Sequence, residues 1–292
     1  MTIQTETRMT QLSAGQLIGA NFSFQHYPFD EVARIIRGFG LVEIELWGIA
    51  PHLDLFHADD ASVTRVKRML EANGLSTHCF TPEQVIYPIN IASGDDRLRD
   101  DSISRFCRAA EICAELGARY LFLTPGRGFE NESADRAWGR SAEALNQIAT
   151  YAGTLGVRCL LEPLQRVESK IVTNAAALRR MLDMAGVATM DVVLDTVAMA
   201  TAGDTVADYL RLFGDRLVHV HVVDGTPAGH LVWGDGNLPL GTYLRELAGA
   251  GYGGQTSLEP VADCTHALPP AAASPPSLRA LPPFPRLAPR PA

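Results

Sequence analysis

A single pattern recurs along this chain: an amphipathic segment ends in glycine, and a short β-branched apolar run begins a few residues later. It occurs in LEANGLSTHCF, AELGARYLFL, AGTLGVRCLLE, DMAGVATMDVVLD and LFGDRLVHVHVV. Glycine ends helices because it adopts the left-handed conformation at low cost, and short apolar runs suit strands that are buried on both faces. Strands that alternate with helices in this way indicate a parallel sheet.

The repeated pattern predicts eight strands with helices between them. We place the strands near residues 17–23, 42–47, 75–80, 118–124, 157–162, 191–195, 217–223 and 255–259. Eight strands favour a closed (β/α)8 barrel over an open sheet, and no GxGxxG motif follows the first strand as dinucleotide binding would require. We therefore expect an α/β fold of the TIM-barrel class, with one catalytic domain over residues 17–260.

The two ends of the chain depart from this pattern. Residues 1–16 are polar and lack the apolar core of a secretory signal, so we expect a disordered extension and no export. Residues 261–292 hold 9 of the 18 prolines, mixed with Ala, Ser and Arg. Because proline disrupts helices, we expect a disordered Pro- and Ala-rich tail and no regular eighth helix.

Composition excludes several classes of partner. The 25 basic and 33 acidic residues give a net charge of -8, which is unfavourable for binding nucleic acid. No apolar run approaches the ~18 residues of a membrane span. The cysteines show no zinc-type spacing, so we expect reduced thiols and a cytoplasmic protein. There are five of them: Cys79, Cys107, Cys113, Cys159 and Cys264.

Four consecutive predicted strands end in side chains able to bind a metal ion. Strand five ends in Glu162, strand six in Asp195 and strand eight in Glu259, whereas strand seven carries His219 and His221. Functional groups of such barrels come from the C-terminal ends of strands. The two histidines share a face, and we choose His221 as the ligand because it is nearer the rim. The alternative for any one acidic residue is a helix cap or a solvated group.

Three carboxylates and one imidazole suit Mn²⁺, Mg²⁺ or Co²⁺ better than a structural zinc ion. Such an ion polarises a carbonyl and an adjacent hydroxyl, which stabilises the enediolate formed when a neighbouring proton leaves. This is the chemistry of aldose-ketose isomerases and ketose epimerases. Glu162 and Glu259 are candidates to remove the proton from one side and return it from the other, although both could act as ligands alone.

Several stretches resemble the xylose isomerase-like barrels, in particular the fructoselysine 3-epimerases and D-tagatose 3-epimerases. They are ELWG from Glu45 with Pro51-His52, FTPE from Phe80 with YPIN from Tyr87, LEPL from Leu161, and HVHVVD from His219. The resemblance covers about residues 17–260, and the TPE…YP loop is its most specific part. It implies a small-molecule sugar substrate and, commonly, a homo-oligomer.

The resemblance also implies roles for individual residues. Glu162, Asp195, His221 and Glu259 would bind the metal, and Glu162 and Glu259 would exchange the C3 proton through a cis-enediolate. Glu168 would contact substrate hydroxyls. His230 stands where the family has a histidine, with a role in holding its loop together as the alternative. We expect Trp47 and Tyr87, with Phe80, to shape an apolar slot, unless these aromatic rings belong to the core.

Two departures favour a fructoselysine-like substrate over a free ketohexose. The sequence DTVA from Asp195 lacks the histidine of D-tagatose 3-epimerase, and no arginine follows His221 closely. Three other interpretations stay open. One is another metal-dependent isomerase or lyase, such as an inosose dehydratase, hydroxypyruvate isomerase or dehydroshikimate dehydratase. Another is a DNA-repair endonuclease, disfavoured because Ala198 and Ala228 occupy expected ligand positions. The last is an inactive truncated barrel.

Overall fold

A computed structural model describes residues 11–260 and contains a closed barrel of eight parallel strands, in which every strand pairs with its neighbours in chain order. The first and last strands close the ring through the pairs Leu17 with Thr256 and Ile18 with Ser257. The strands are β1 Leu17–Ala20, β2 Glu43–Gly48, β3 Ser76–Pro82, β4 Tyr120–Leu123, β5 Arg158–Leu161, β6 Met190–Asp195, β7 Leu217–Val222 and β8 Gln255–Leu258. The predicted (β/α)8 fold is confirmed.

Eight α-helices precede β8 within the described residues. They are α1 Phe29–Gly38, α2 Asp60–Ala72, α3 Asp96–Leu116, α4 Ala134–Thr154, α5 Ala175–Ala185, α6 Thr196–Ala202, α7 Val206–Phe213 and α8 Leu240–Gly249. Two of them, α6 and α7, lie between β6 and β7. No helix between residues 11 and 260 has both the length and the apolar character needed to cross a membrane.

Local sequence sets where the helices end. Helices α3 and α5 stop at Gly117 and Gly186, whose φ angles of 70° and 65° lie in the left-handed region that glycine adopts without strain. At the other end, Asp95 and Asn174 accept hydrogen bonds from backbone amides in the first turns of α3 and α5. The two glycines are the ones that end amphipathic segments in the repeated sequence pattern.

The barrel interior is apolar in the middle and polar at both ends. A small interior cluster of apolar side chains fills the middle and is separate from the larger core between strands and helices. At the N-terminal end of the strands, Arg158 and Asp191 form a two-pronged ion pair of 2.7 and 2.8 Å. At the C-terminal end the inward side chains are ionisable. The interior cluster consists of Cys79, Tyr120, Phe122, Leu160 and Val193.

The domain boundaries differ from expectation at the N-terminal side. Residues 11–16, which we assigned to a disordered extension, are ordered: Leu12 is buried in the core, and Gln16 donates hydrogen bonds to the carbonyls of Tyr252 and Gly254. The sequence shows no periodicity over so short a segment, so only the tertiary contacts reveal it. Residues 1–10 and the predicted proline-rich tail at 261–292 lie outside the described residues. Residues 11–260 contain four cysteines, and none of them forms a disulfide: Cys79, Cys107, Cys113 and Cys159.

Candidate metal centre and active site

The four strand-end residues selected from the sequence meet at the C-terminal mouth of the barrel. Asp195 ends β6, His221 lies in β7, and Glu162 and Glu259 directly follow β5 and β8. All four are buried, and one potential ligand atom from each lies within 4.8 Å of the others. Parallel strands bring their carboxyl ends to one rim, so residues far apart in the chain converge on a single point.

Each of the four residues also carries a buried polar atom that has no hydrogen-bond partner among the described residues. His221 Nδ1 lies 2.9 Å from Glu162 Oε1 and 2.7 Å from Glu259 Oε2, but neither contact has the geometry of a hydrogen bond. Unpaired buried polar atoms are costly and uncommon, and four directed at one place fit a divalent cation. The atoms are Glu162 Oε1, Asp195 Oδ2, His221 Nδ1 and Glu259 Oε2.

Asp195 combines the two roles that the sequence left as alternatives. Its Oδ1 accepts a hydrogen bond from the backbone amide of Ala198 and so caps helix α6. Its Oδ2 is buried without a partner and faces the other three residues. The cap fixes the orientation of the carboxylate, which leaves one oxygen free to bind a metal ion.

Burial governs the electrostatics of the metal-free cluster. It raises the pKa of Glu162 well above its usual value, although His221 opposes the shift, and it raises the pKa of Asp195 despite the nearby His230. Burial disfavours the His221 imidazolium, but Glu259, Glu45 and Glu162 outweigh it and raise the pKa of His221 well above its usual value. A metal ion therefore has to displace protons from this cluster.

We expect metal binding to stabilise the protein more at high pH than at low pH. Because the pKa values of Glu162, Asp195 and His221 are raised in the fold, the metal-free protein loses stability as pH rises through them. A bound ion removes this loss of stability, and at the higher pH fewer protons compete with the ion for the ligand atoms. At about 100 times its Kd it adds about 2.7 kcal/mol, or several degrees in Tm. Calorimetry of chelator-treated protein with and without Mn²⁺ at pH about 5.5 and about 8 would test this, and an equal or smaller gain at the higher pH would contradict it.

Two aromatic rings pack against the His221 imidazole. Phe122 stacks on it with ring centroids 5.1 Å apart and planes 8° apart, and Trp47 stacks at 6.2 Å and 30°. Phe22 packs edge-on against Trp47 at 4.6 Å. The imidazole plane is thus fixed by packing before any ion binds.

A buried carboxylate that we did not predict as a site residue, Glu45 of β2, lies on the far side of His221. Its oxygens lie 3.1 and 3.2 Å from His221 Nε2 and 3.1 Å from His219 Nε2. They also accept hydrogen bonds from Thr81 at 2.7 Å and Ser257 at 2.6 Å. Burial alone would raise the pKa of Glu45, but His221 and His219 outweigh it and hold that pKa well below its usual value. An acceptor at Nε2 leaves the Nδ1 lone pair of His221 free for a metal ion.

The sequence did contain a signal for Glu45. It is an acidic residue within the apolar run of β2, and a fully buried carboxylate needs hydrogen-bond donors. His219, which we set aside as an interior residue, supplies one of them. The pairing could not be read from spacing because Glu45 and His219 lie 174 residues apart in the chain.

A cavity of about 160 Å³ is lined by three of the four residues, Glu162, Asp195 and Glu259. Of the predicted substrate-binding residues, Trp47, Glu168 and His230 line it, whereas Tyr87 does not. The Tyr87 hydroxyl instead accepts a hydrogen bond from the amide of Ala50 at 2.9 Å, and its ring packs on Phe56. Phe80 is fully buried in the core, so it does not form part of an open slot.

Glu168 and His230 both line this cavity and interact electrostatically. Burial raises the pKa of Glu168, while the charge of His230 lowers it. Burial would lower the pKa of His230, but Glu259, Asp195 and Glu168 outweigh it and raise that pKa. Each residue therefore favours the charged form of the other.

The loop that carries His230 is organised by Asp224. The Asp224 carboxylate accepts hydrogen bonds from the amides of Gly225 at 2.8 Å, Gly234 at 2.9 Å and Leu238 at 3.0 Å. The alternative role for His230, holding its own loop together, is thus performed by Asp224. This leaves the His230 ring free to line the cavity.

Sequence and structure comparisons place this architecture among known proteins. The model of the xylose isomerase-like TIM barrel family matches residues 29–283. The chain belongs to the xylose isomerase-like TIM barrel family. Within this family it is 28% identical to fructoselysine 3-epimerase of Shigella flexneri over 237 residues, covering 80% of this chain and 86% of the relative. It is 26% identical to D-psicose 3-epimerase of Agrobacterium fabrum over 243 residues, covering 79% and 77%.

Solved structures support the same fold for this xylose isomerase-like barrel. The crystal structure of 3-keto-D-glucoside 4-epimerase from E. coli superposes with a TM-score of 0.76 and 21% identity. The match covers 91% of this chain and 98% of the other.

In this xylose isomerase-like barrel a second group of side chains of the kinds that bind metal ions lies next to the first. It consists of Glu45, Cys79 and His219. Burial raises the pKa of the Cys79 thiol well above its usual value, so the thiolate needed for metal binding is disfavoured. Glu45 already accepts four side-chain donors. This second group is therefore a hydrogen-bonded support for the upper site.

Proposed function

We propose that this chain is a metal-dependent sugar epimerase that inverts C3 of a ketose or ketosamine. The observation that carries the proposal is the pair of buried carboxylates, Glu162 and Glu259, which approach His221 Nδ1 from strands β5 and β8. Both also line the substrate-sized cavity. The relatives named as fructoselysine 3-epimerase and D-psicose 3-epimerase support the same reaction class.

The proposed roles follow from the chemistry of proton exchange. Mn²⁺, Mg²⁺ or Co²⁺, when bound by Glu162, Asp195, His221 and Glu259, supplies Lewis acidity toward the C2 carbonyl and C3 hydroxyl. One of the two glutamates removes the C3 proton to give a cis-enediolate, and the other returns a proton to the opposite face. Glu168, His230 and Trp47 bind the remaining hydroxyls.

The charge of the cavity distinguishes the proposed epimerase from some of the alternative enzymes. Among the residues of 11–260 that line it there is no lysine or arginine. Hydroxypyruvate and dehydroshikimate each carry a carboxylate, for which the described lining supplies no lysine or arginine partner beside His230 and the metal ion. A neutral inosose meets no such barrier, so a dehydratase has to be separated by its product. Ala198 lines the cavity at the position where the endonuclease alternative needs a ligand.

The experiment uses chelator-treated full-length protein reloaded with Mn²⁺, Mg²⁺ or Co²⁺. It is incubated in D₂O with fructoselysine, fructose, tagatose or psicose, and the recovered sugar is examined by NMR. We expect the C3 epimer to form with one deuterium at C3, and we expect metal-free protein to leave the sugar unchanged. Product without deuterium would indicate a hydride route, and loss of water from an inosose would indicate a dehydratase. No conversion of any sugar would support the inactive-barrel alternative.

A further inference from the structure

The segment between β1 and α1, residues 21–28, supports one wall of the cavity. Its Phe22 lines the cavity and packs edge-on against Trp47, with ring centroids 4.6 Å apart. The Ser23 hydroxyl donates a hydrogen bond to the carbonyl of Pro260 at 2.7 Å. The segment therefore contacts an aromatic side chain of the cavity wall and the chain just after the last proposed metal ligand.

Asn21, the first residue of this segment, fixes the backbone of Trp47. Asn21 is fully buried, and its side-chain oxygen accepts a hydrogen bond from the Trp47 amide at 2.6 Å. Its side-chain nitrogen donates to the Trp47 carbonyl at 3.1 Å. The backbone pairing between β1 and β2 ends at Ala20 and Glu45. The Asn21 side chain thus continues this pairing to Trp47, where the backbone of β1 no longer reaches.

His52 fixes the orientation of the Asn21 amide. The His52 ring is 2% exposed; its Nδ1 lies 3.0 Å from Asn21 Nδ2, and its Nε2 lies 2.8 Å from the carbonyl oxygen of Tyr27. Because a carbonyl only accepts, Nε2 carries the proton and Nδ1 accepts from the Asn21 NH₂ group. Burial lowers the pKa of His52, although the hydrogen bond to Tyr27 opposes the shift, and this favours the neutral ring that the arrangement needs. One imidazole therefore joins Asn21 and Tyr27, near the two ends of the segment.

We propose that Asn21 and His52 are positioning residues, which hold the Trp47 indole and the wall that it shares with Phe22 in the place that sugar turnover requires. The inference rests on the proposed function for its kinetic consequence. Neither side chain is part of the described cavity lining or of the four-ligand cluster. Only one orientation of the Asn21 amide satisfies Trp47 and His52 together, because the reverse orientation places two donors or two acceptors opposite each other at all three contacts.

The test uses two substitutions of His52 that each keep one of its contacts. Asparagine places its side-chain oxygen near the position of Nδ1 and keeps an acceptor for Asn21, whereas glutamine places its amide nitrogen near the position of Nε2 and keeps only the donor to the loop carbonyl. Asn21→Ala removes the link to Trp47 altogether. The control is Asn146→Ala on α4, which also removes a hydrogen bond from an asparagine to a backbone carbonyl, that of Ala185, away from the described cavity lining.

The position of Trp47 is measured by ¹⁹F NMR of full-length protein labelled with 5-fluorotryptophan. The chain has three tryptophans, and Trp47→Phe assigns the resonance. We expect this resonance to shift or broaden in Asn21→Ala and His52→Gln, and to keep its wild-type position in His52→Asn and Asn146→Ala. Metal-loaded protein is then assayed for C3 epimerisation below the Tm of every variant. Because misplacement of a group at the cavity by about 1 Å can cost on the order of 100-fold, Asn21→Ala and His52→Gln should lower kcat/KM about 10- to 100-fold, and the other two variants less than about threefold.

The NMR measurement keeps the inference separate from the proposed reaction. A Trp47 resonance that moves as expected, in wild-type and variant proteins that turn over no sugar, would uphold the positioning of Trp47 while the proposed epimerase function fails. In active protein, an unmoved Trp47 resonance or a wild-type kcat/KM in Asn21→Ala would overturn the inference and leave the epimerase proposal intact. Equal losses in His52→Asn and His52→Gln would overturn it as well, and so would an equal loss of turnover in Asn146→Ala, which would trace the effect to stability.

Discussion

Glu162→Gln and Glu259→Gln are each expected to lower kcat for C3 epimerisation by about 10³-fold or more, because each removes one of two groups that must hold a proton in turn. Glutamine retains an oxygen that can still face the metal ion, so part of the metal affinity should survive. Metal content and Kd are therefore measured for each variant beside its kinetics. Glu71→Gln, the same chemical change on an exposed face of α2, should keep wild-type activity.

The two variants should also differ from each other in a way that simple ligand loss would not produce. If each glutamate serves one face of the sugar, a variant that lacks one of them still exchanges the C3 proton of a single epimer with solvent but does not invert it. Deuterium wash-in is followed by NMR, starting separately from each member of an epimer pair. Glu162→Gln and Glu259→Gln should then label opposite epimers. Full epimerisation by either variant, or equal labelling of both epimers, would contradict the two-carboxylate mechanism.

The fold and the four converging residues were accessible from the sequence because both depend on local pattern. Helix-ending glycines such as Gly117 and short apolar runs mark each β/α unit, and eight such units close into one ring. Once the strands are parallel, residues at their C-terminal ends have to share one rim, whatever their separation in the chain. Glu162 and Glu259 are therefore brought together by topology alone.

Features that depend on tertiary contacts were harder to predict from the sequence. Leu12 is buried in the core, and no periodicity in its own short segment predicts this. Tyr87 belongs to a loop whose conformation is set by Glu83, Gln84 and their backbone partners, so sequence alone did not place its ring away from the cavity. Glu45 was visible as an acidic residue in an apolar strand, but its partners Thr81, His219 and Ser257 lie on three other strands.

Glu45→Gln is expected to weaken metal binding about 10- to 100-fold although Glu45 is not among the four predicted ligands. We assign Glu45 as a positioning residue for His221. Four side chains donate to its carboxylate, and a glutamine would turn an amide NH₂ toward at least one of these donors. The buried mismatch should also cost about 3 kcal/mol of stability. His221 would then be free to change tautomer or tilt.

The matched control is Glu43→Gln, two residues earlier on the same strand, where the carboxylate accepts a hydrogen bond from Gln255 at 2.8 Å and lies outside the four-residue cluster. Metal Kd is measured by calorimetry, and the visible absorption of Co²⁺-loaded protein reports ligand geometry independently of activity. We expect Glu45→Gln to change both, and Glu43→Gln to leave Kd within about threefold of wild type. A Glu45→Gln protein that is less stable but has wild-type Kd and an unchanged Co²⁺ spectrum would show that Glu45 supports the fold alone. The separation matters because a carboxylate that fixes the tautomer of His221 acts on the metal site through one hydrogen bond, whereas a purely structural residue acts on the whole barrel equally.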